Sequence, residues 1–462
     1  MSMAEEACTF VYEPPNGTAK SLLEAAGITE NDIWHCPHHT KKGDDLCCFH
    51  KPVDQKDDAE VTEEIANRIQ AVSVGDDEVL ADNTLQFVGA KLGSLALSDY
   101  LDEIDIADRR LTFFGSTIGR TNWTGLSITA GNVDFQNILI DGLARFSNTT
   151  FDCETEFRGS KFNGPTNFKS ATFNETVEFI GVRIAGYANF SNVEFSGTRS
   201  DFHKAVFEQK ANFSKMEGSP NFSEVEFGAG ANFSKATLTG IFDSAVFNGR
   251  AYFKTATIPH ASFEYVTFTD ETNFYGVDFD AAVQFDHATF EDGVNFKDAD
   301  HDHLSFPYAD ITGARFDNAT IPFANFNHAN LSDAIFEGTD LRGSNLASAN
   351  LTRAMLFDAN LPGAFLSGTI FRDAQINEHT RLLGHHTDTI EAKQPTPTDT
   401  TAKQCCVYDP EYQPDNEHKD VAEARRVYKK IETLANTHVR PQLETRCKSR
   451  RKELTTLLSN RQ

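Results

Sequence analysis

Apolar residues along the middle of this 462-residue chain recur at a spacing that neither a helix nor an ordinary strand produces. In the segment GPTNFKSATFNETVEF they are Phe168, Phe173 and Phe179, and the same beat of fives and sixes runs on through Phe190, Phe195, Phe207, Phe213, Phe227, Phe233, Phe247 and Phe253. After Phe306 the step is strictly five, through Phe316, Phe326, Leu331, Phe336, Leu341, Leu346, Leu351, Leu356, Leu361, Leu366 and Phe371. Two positions before most of these stands a small residue, as at Ala314, Ala324, Ala334, Ser344, Ala354 and Ala364. A helix needs apolar spacings of three and four and a half-buried strand needs two, so the chain must turn a corner every five residues. The large and the small residue of each unit then both point inward, and stacked coils lay Phe on Phe and Ala on Ala.

The units Ala349 to Arg353, A-N-L-T-R, and Ala231 to Lys235, A-N-F-S-K, carry a resemblance to the pentapeptide-repeat family, whose motif is A(D/N)LXX. The resemblance covers residues 85–378, with a weaker start at Phe87, Leu92 and Leu97 and irregularities near Gly218 and His301. It implies an all-β solenoid, a right-handed quadrilateral (four-sided) β-helix; the six-residue steps then place one extra corner residue on alternate faces. The family also implies two things about function. Some members resemble duplex DNA in width and charge and bind type II topoisomerases, and in some longer members a basic helical segment precedes membrane-spanning helices.

The repeat explains the composition. Thirty-nine Phe against two Trp is what inward columns of offset-stacked rings require. The sequons at Asn148, Asn189, Asn212 and Asn232 fall at one place in the repeat and read as repeat grammar. No run of 18 apolar residues occurs, and MSMAEEACTF lacks a basic stretch followed by an apolar one, so a cytoplasmic chain is expected. The formal net charge is −26, yet Lys419 to Gln462 carries twelve Lys or Arg against five Asp or Glu. The body is acidic and the tail basic.

Residues 1–52 hold the most specific chemistry. Cys8 is followed by Trp34-His35-Cys36-Pro37-His38-His39 and by Cys47-Cys48-Phe49-His50 in a segment with no visible core of its own. Thiols and imidazoles are zinc's preferred ligands, and a structural site stabilises a segment too small to fold on apolar burial. The expected set is Cys8, Cys36, Cys47 and His50, the last two spaced to leave one tight turn; Cys48 is an alternative to Cys47, and His38 or His39 to Cys8. Disulfides are not expected in a reducing compartment.

Residues 53–84 read as an acidic helical cap over the open end of the Phe stack. Residues 379–419, rich in Thr, Pro, Asp and Gln, read as a disordered linker. Within it Cys405 and Cys406, with His385, His386 and His418, form a weaker second metal cluster. Residues 420–462 read as a basic helical hairpin: Val421, Ala424, Val427, Tyr428, Ile431 and Leu434 share one face, and Pro441 opens a second helix carrying Leu443, Cys447, Leu454 and Leu458.

No Gly-rich phosphate loop or nucleophile elbow is present. The histidines His203, His260, His287, His301, His303 and His328 are scattered over corner positions, with His301-Asp302-His303 the one local cluster. The expected function is a non-catalytic protein-interaction scaffold on a rigid acidic rod, with a structural metal at its N-terminus and self-association through the C-terminal helices. The alternatives are a DNA mimic that binds a type II topoisomerase, or a peripheral adaptor whose basic tail binds nucleic acid or anionic lipid.

Overall fold

The computed structural model describes residues 6–14, 33–41, 43–74, 84–279, 283–384, 405–412 and 417–459. It forms two compact units, Met1–Asn232 and Phe233–Gln462.

In the first unit, strands of two or three residues alternate with corners, and each strand pairs in parallel with the strand one coil on. One face runs from Leu95–Ala96 through Thr121–Asn122, Ala144–Arg145, Thr166–Asn167, Ala188–Asn189 and Ala211–Asn212 to Ala231–Asn232. Three more faces start at Lys91–Leu92, Glu103–Asp105 and Arg110–Thr112. The result is a four-sided parallel β-solenoid. The second unit is likewise a coil of parallel-paired short strands, and beyond Asp300 each strand shrinks to a single bridge, as in the ladder Arg315, Ile335, Met355, Gln375. Hydrogen-bonded side chains on adjacent coils are 22 residues apart at Asn174 and Asp152 but 20 apart at Asn350 and Asn330. The switch from six-residue to five-residue sides accounts for the difference.

Ring stacking fills the interior. Phe168 lies flat between Phe146 and Phe190, at centroid distances of 4.6 and 5.0 Å. A second column, Phe135, Phe157 and Phe179, has steps of 4.9 and 4.8 Å. The two columns meet edge to face, as at Phe146 and Phe157, 5.8 Å and 82°, an arrangement the ring quadrupole favours. In the second unit Phe253, Phe274 and Phe296 stack the same way, at 4.6 and 4.9 Å.

The Asn of the motif sets the corners. Asn167 Oδ1 accepts the Lys169 N–H at 3.0 Å, and Asn189 and Asn350 do the same for Ser191 and Thr352, the Asx-turn geometry that steers the chain round. The residue after this bond is left-handed, with φ of 55° at Ser170 and 59° at Arg353. The turn closes with Ala171 N–H donating to the Phe168 carbonyl at 2.9 Å.

On one face of the first unit, acidic side chains lie in register on successive coils. Asp134 pairs with Glu156, Glu156 with Glu178, and Glu178 with Asp201. Arg110 bridges Asp134 and Glu156, Arg158 bonds Glu178, and Arg199 bonds Asp201.

Helix α1, Asp58–Ser73, packs beside the first coil. Asp57 caps it, its Oδ1 accepting from Ala59 N at 2.8 Å, and Val61, Ile65, Ala66 and Ile69 are buried. The C-terminal helices α2, Val421–Thr437, and α3, Pro441–Ser459, pack against each other in the second unit. Of the expected stripe, Leu443, Cys447 and Leu454 are buried and Leu458 is half-buried.

The stretch read as a disordered linker differs where it is described. Leu382, Leu383, Cys405, Cys406, Val407 and Asp409 are buried. Tyr428 Oη donates to Asp409 Oδ2 at 2.8 Å, and Arg450 bonds both Asp409 oxygens at 2.8 and 2.7 Å. The apolar run Cys405 to Tyr408 anchors this segment within surroundings whose composition is polar. Residues 385–404 and 413–416, with His385 and His386, lie outside the described residues.

Candidate metal centre

Two short antiparallel ribbons and one turn bring the four side chains together. Glu6–Ala7 pairs with His39–Thr40, and Val11–Tyr12 with Trp34–His35, which sets Cys8 and Cys36 at neighbouring strand ends. Cys8 N–H donates to the His38 carbonyl at 3.0 Å and Cys36 N–H to the Phe10 carbonyl at 3.1 Å. The turn that follows closes with His50 N–H on the Cys47 carbonyl at 3.1 Å and so presents both side chains on one side.

Cys8, Cys36, Cys47 and His50 are all buried, and their ligating atoms lie within 4.8 Å of one another. Cys36 Sγ is 3.7 Å from Cys47 Sγ, and His50 Nδ1 is 3.1 Å from Cys47 Sγ and 3.8 Å from Cys8 Sγ. His50 Nε2 is 2.9 Å from the Val88 carbonyl oxygen. A carbonyl can only accept, so Nε2 carries the proton and Nδ1 turns its lone pair to the sulfurs. The Cys47 N–H donates to Cys8 Sγ at 3.3 Å. The hydrogen bond from Cys36 holds the Cys47 thiol below its ordinary range, against burial. The same bond, with burial, pushes the Cys36 thiol up, and burial raises Cys8. Such a cluster can hold a metal ion, exchanging thiol protons for the cation.

The alternatives occupy other places. His38 Nε2 donates to the Gln86 carbonyl at 2.7 Å, and its Nδ1 accepts from Arg68 Nη1 at 2.8 Å. Both nitrogens are thereby engaged, and burial followed by the Arg68 charge lowers the imidazole to about 4. Cys48 and His39 are outside the cluster. Among the described residues no second cluster forms: Cys406 N–H donates to Tyr428 Oη at 3.2 Å, and the His418 ring meets Phe365 edge-on at 4.8 Å.

Sequence reasoning missed how this module joins the coil. The Phe49 ring meets Phe87 edge-on at 4.9 Å, and Phe87 stacks on Phe113 at 5.2 Å, so Phe49 continues the aromatic interior. Trp34 Nε1 donates to Gln86 Oε1 at 3.0 Å, and Lys91 N–H to the Phe49 carbonyl at 2.9 Å. Lys56 Nζ bonds the Cys48 and Phe49 carbonyls at 2.9 and 3.0 Å; burial lowers its ammonium to about 8. Phe10 stacks on His50 at 3.8 Å. A large ring, Phe49, between the expected ligands Cys47 and His50 was the signal available.

The basic tail is partly neutralised within its own unit. Arg450 pairs with Asp409, Glu411 and Glu453, and Arg451 with Glu432. No helix among the described residues is long and apolar enough to cross a membrane.

Comparison with known proteins bears on the coil. Two family models described as pentapeptide repeats match: one of eight copies over residues 292–333, 309–347 and 334–373, another of nine copies over 146–194 and 157–206. No curated protein matches the chain. Among solved structures, the chain is similar to HetL, a pentapeptide repeat protein involved in heterocyst differentiation regulation from the cyanobacterium Nostoc sp. strain PCC 7120, at 15% identity over 62% of this chain and 85% of that one, TM-score 0.19. It is similar to Rfr23, a pentapeptide repeat protein of the cyanobacterium Cyanothece 51142, at 23% identity over 21% of this chain and 61% of that one, TM-score 0.12. It is also similar to full-length QnrB1, a plasmid-mediated fluoroquinolone resistance protein, at 15% identity over 50% of this chain and 94% of that one, TM-score 0.19.

Proposed function

Since this chain is a pentapeptide-repeat protein, we propose that it acts as a non-catalytic interaction scaffold whose N-terminal module is folded by one structural zinc ion. Zinc–sulfur bonds of about 2.3 Å make the edge of a tetrahedron about 3.8 Å long. The Cys36–Cys47 separation of 3.7 Å matches that edge. Four protein ligands fill a tetrahedral shell, the arrangement of structural rather than catalytic zinc.

The observation that carries the reading is the bond from His50 Nε2 to the Val88 carbonyl. It fixes the ring in the metal-binding tautomer, as outer-shell partners of metal histidines do, and it ties the ligand to the coil. Ring columns fill the interior of the described coil, so partners would engage its repeated outer faces.

The test is metal content by mass spectrometry on protein purified without chelator or affinity metal, with Cys36→Ser alongside. One zinc per chain, lost in the variant, supports the reading. No metal in either protein overturns it.

A further inference from the structure

The first coil has an edge, and an uncovered strand edge offers unpaired N–H and C=O groups to another chain. Here five groups along that edge are met by the N-terminal residues. The Gln86 carbonyl accepts from His38, the Val88 carbonyl from His50, and the Lys91 N–H donates to the Phe49 carbonyl. Further on, Gly93 N–H donates to Asp58 Oδ1 and the Ser94 carbonyl accepts from Thr62 Oγ1. The first three bonds come from the Cys/His module and the last two from α1. Beneath the module lies the apolar face of Phe87, fully buried by Phe49 and His38.

We propose that the Cys/His module is a metal-held cover over this edge, and that when the metal leaves, the uncovered edge pairs with the same edge of a second copy of this chain. The inference rests on the zinc reading for its trigger. A module of two-residue strands has no core to keep its shape without the ion. Losing it frees the Gln86 and Val88 carbonyls, the Lys91 N–H on the next face beyond the corner at Gly89, and the Phe87 ring at the end of the stack. A second copy turned by a two-fold axis sets this edge against itself and Phe87 against Phe87, which is the self-complementarity an isologous contact requires.

The last coil of the second unit is covered by a device that needs no metal. Lys430 Nζ donates to the Thr369 carbonyl at 2.7 Å and His438 Nε2 to the Ala374 carbonyl at 2.7 Å, and Arg440 bonds the Asn377 carbonyl. Metal loss therefore opens the first edge and leaves this one covered, so the product is a closed dimer, not a filament.

The experiment uses the full chain. Mass is measured by sedimentation equilibrium before chelation, after chelation with 1,10-phenanthroline, and after zinc is restored, with far-ultraviolet circular dichroism as a check on the coil. In parallel, Cys36→Ser removes one ligand and reads the same release without chelator. The expected result is a two-fold rise in mass on chelation that reverses with zinc, and a two-fold higher mass in Cys36→Ser before any chelator is added. Release of metal without change in mass, or growth into larger or irreversible assemblies, overturns the inference. Absence of metal at the outset refutes the zinc reading and the inference with it, whereas metal that is present and released at constant mass overturns the inference alone.

Discussion

His50 and Val88 are joined by a 2.9 Å hydrogen bond from an imidazole nitrogen to a backbone carbonyl. One side of the ring thus belongs to the coil and the other to the sulfur cluster. Losing the cluster should loosen the edge of the first coil, and disturbing that edge should weaken the cluster.

His50→Asn should lower metal affinity about 10-fold to 100-fold or more, because both a ligand and its anchor to the coil are lost. Competition with a chromogenic zinc chelator measures this. Equal affinity in variant and wild type would remove His50 from the site.

Phe168→Ala should cost about 3–5 kcal/mol. The ring is fully buried and stacked on both sides, and a coil draws its stability only from its neighbours. Hydrogen exchange should accelerate first in the coils that carry Phe146 and Phe190; unchanged exchange there would refute the stacked column as the source of stability.

Glu156 supplies a pH dependence. Burial, then the adjoining Asp134 charge, pushes its carboxyl up to about 7. The folded state therefore holds a proton that the unfolded chain has released, so stability in this region falls as pH rises from the ordinary glutamate value through 7. Glu156→Gln keeps acceptor capacity for Arg110 and Asn132 and removes the titration. At pH 8 it should be the more stable protein, by about 1–3 kcal/mol, and thermal melts from pH 5 to 8 should show its midpoint falling less than that of wild type.

Asp409 behaves in the opposite sense. Burial alone would raise its carboxyl, but bonds from Arg450, the Glu411 N–H and Tyr428 outweigh burial and lower it. Its contribution is present above the ordinary aspartate range and is lost as pH falls through the lowered value. Asp409→Asn should cost about 1.5–3 kcal/mol, because Arg450 keeps Glu411 and Glu453 but loses its bidentate charged acceptor, read as early melting of α2 and α3. A melt unchanged at pH 7 would count against this ion pair as the anchor.

Gly164→Ala tests one of the close corners. A methyl group on Gly164 would strike the Gly142 backbone, as one on Gly142 would meet the Gly119 carbonyl oxygen at 2.5 Å. The neighbour is backbone from the coil before, which cannot swing away, so a loss of about 1–3 kcal/mol is expected. A variant as stable as wild type in chemical denaturation would show that this corner can open.

That the chain coils was legible in the sequence because its cause is local, while the four sides were what the family resemblance implied. A large residue every five positions and a small one two earlier leave the backbone no other way to bury both, and Asn before the large residue makes the corner within two residues of itself, as at Asn167 and Lys169. The kind of chemistry at the N-terminus was legible too, since soft ligands crowd a segment without a core.

What only the tertiary structure decided lies between residues far apart in the chain. His38 and His50 look alike in sequence; Arg68 and Gln86 engage both nitrogens of one, and Val88 leaves the second nitrogen of the other facing the thiols. Cys405 and Cys406 read as ligands until Tyr428, Asp409 and Arg450 fold over them. That Phe49 extends the ring stack over the first coil depends on Phe87, and that the basic tail is partly neutral depends on Asp409 and Glu432. Periodicity and composition are properties of neighbours along the chain, whereas a lone pair's direction, a ring's contact and a charge's partner exist only once distant segments have packed.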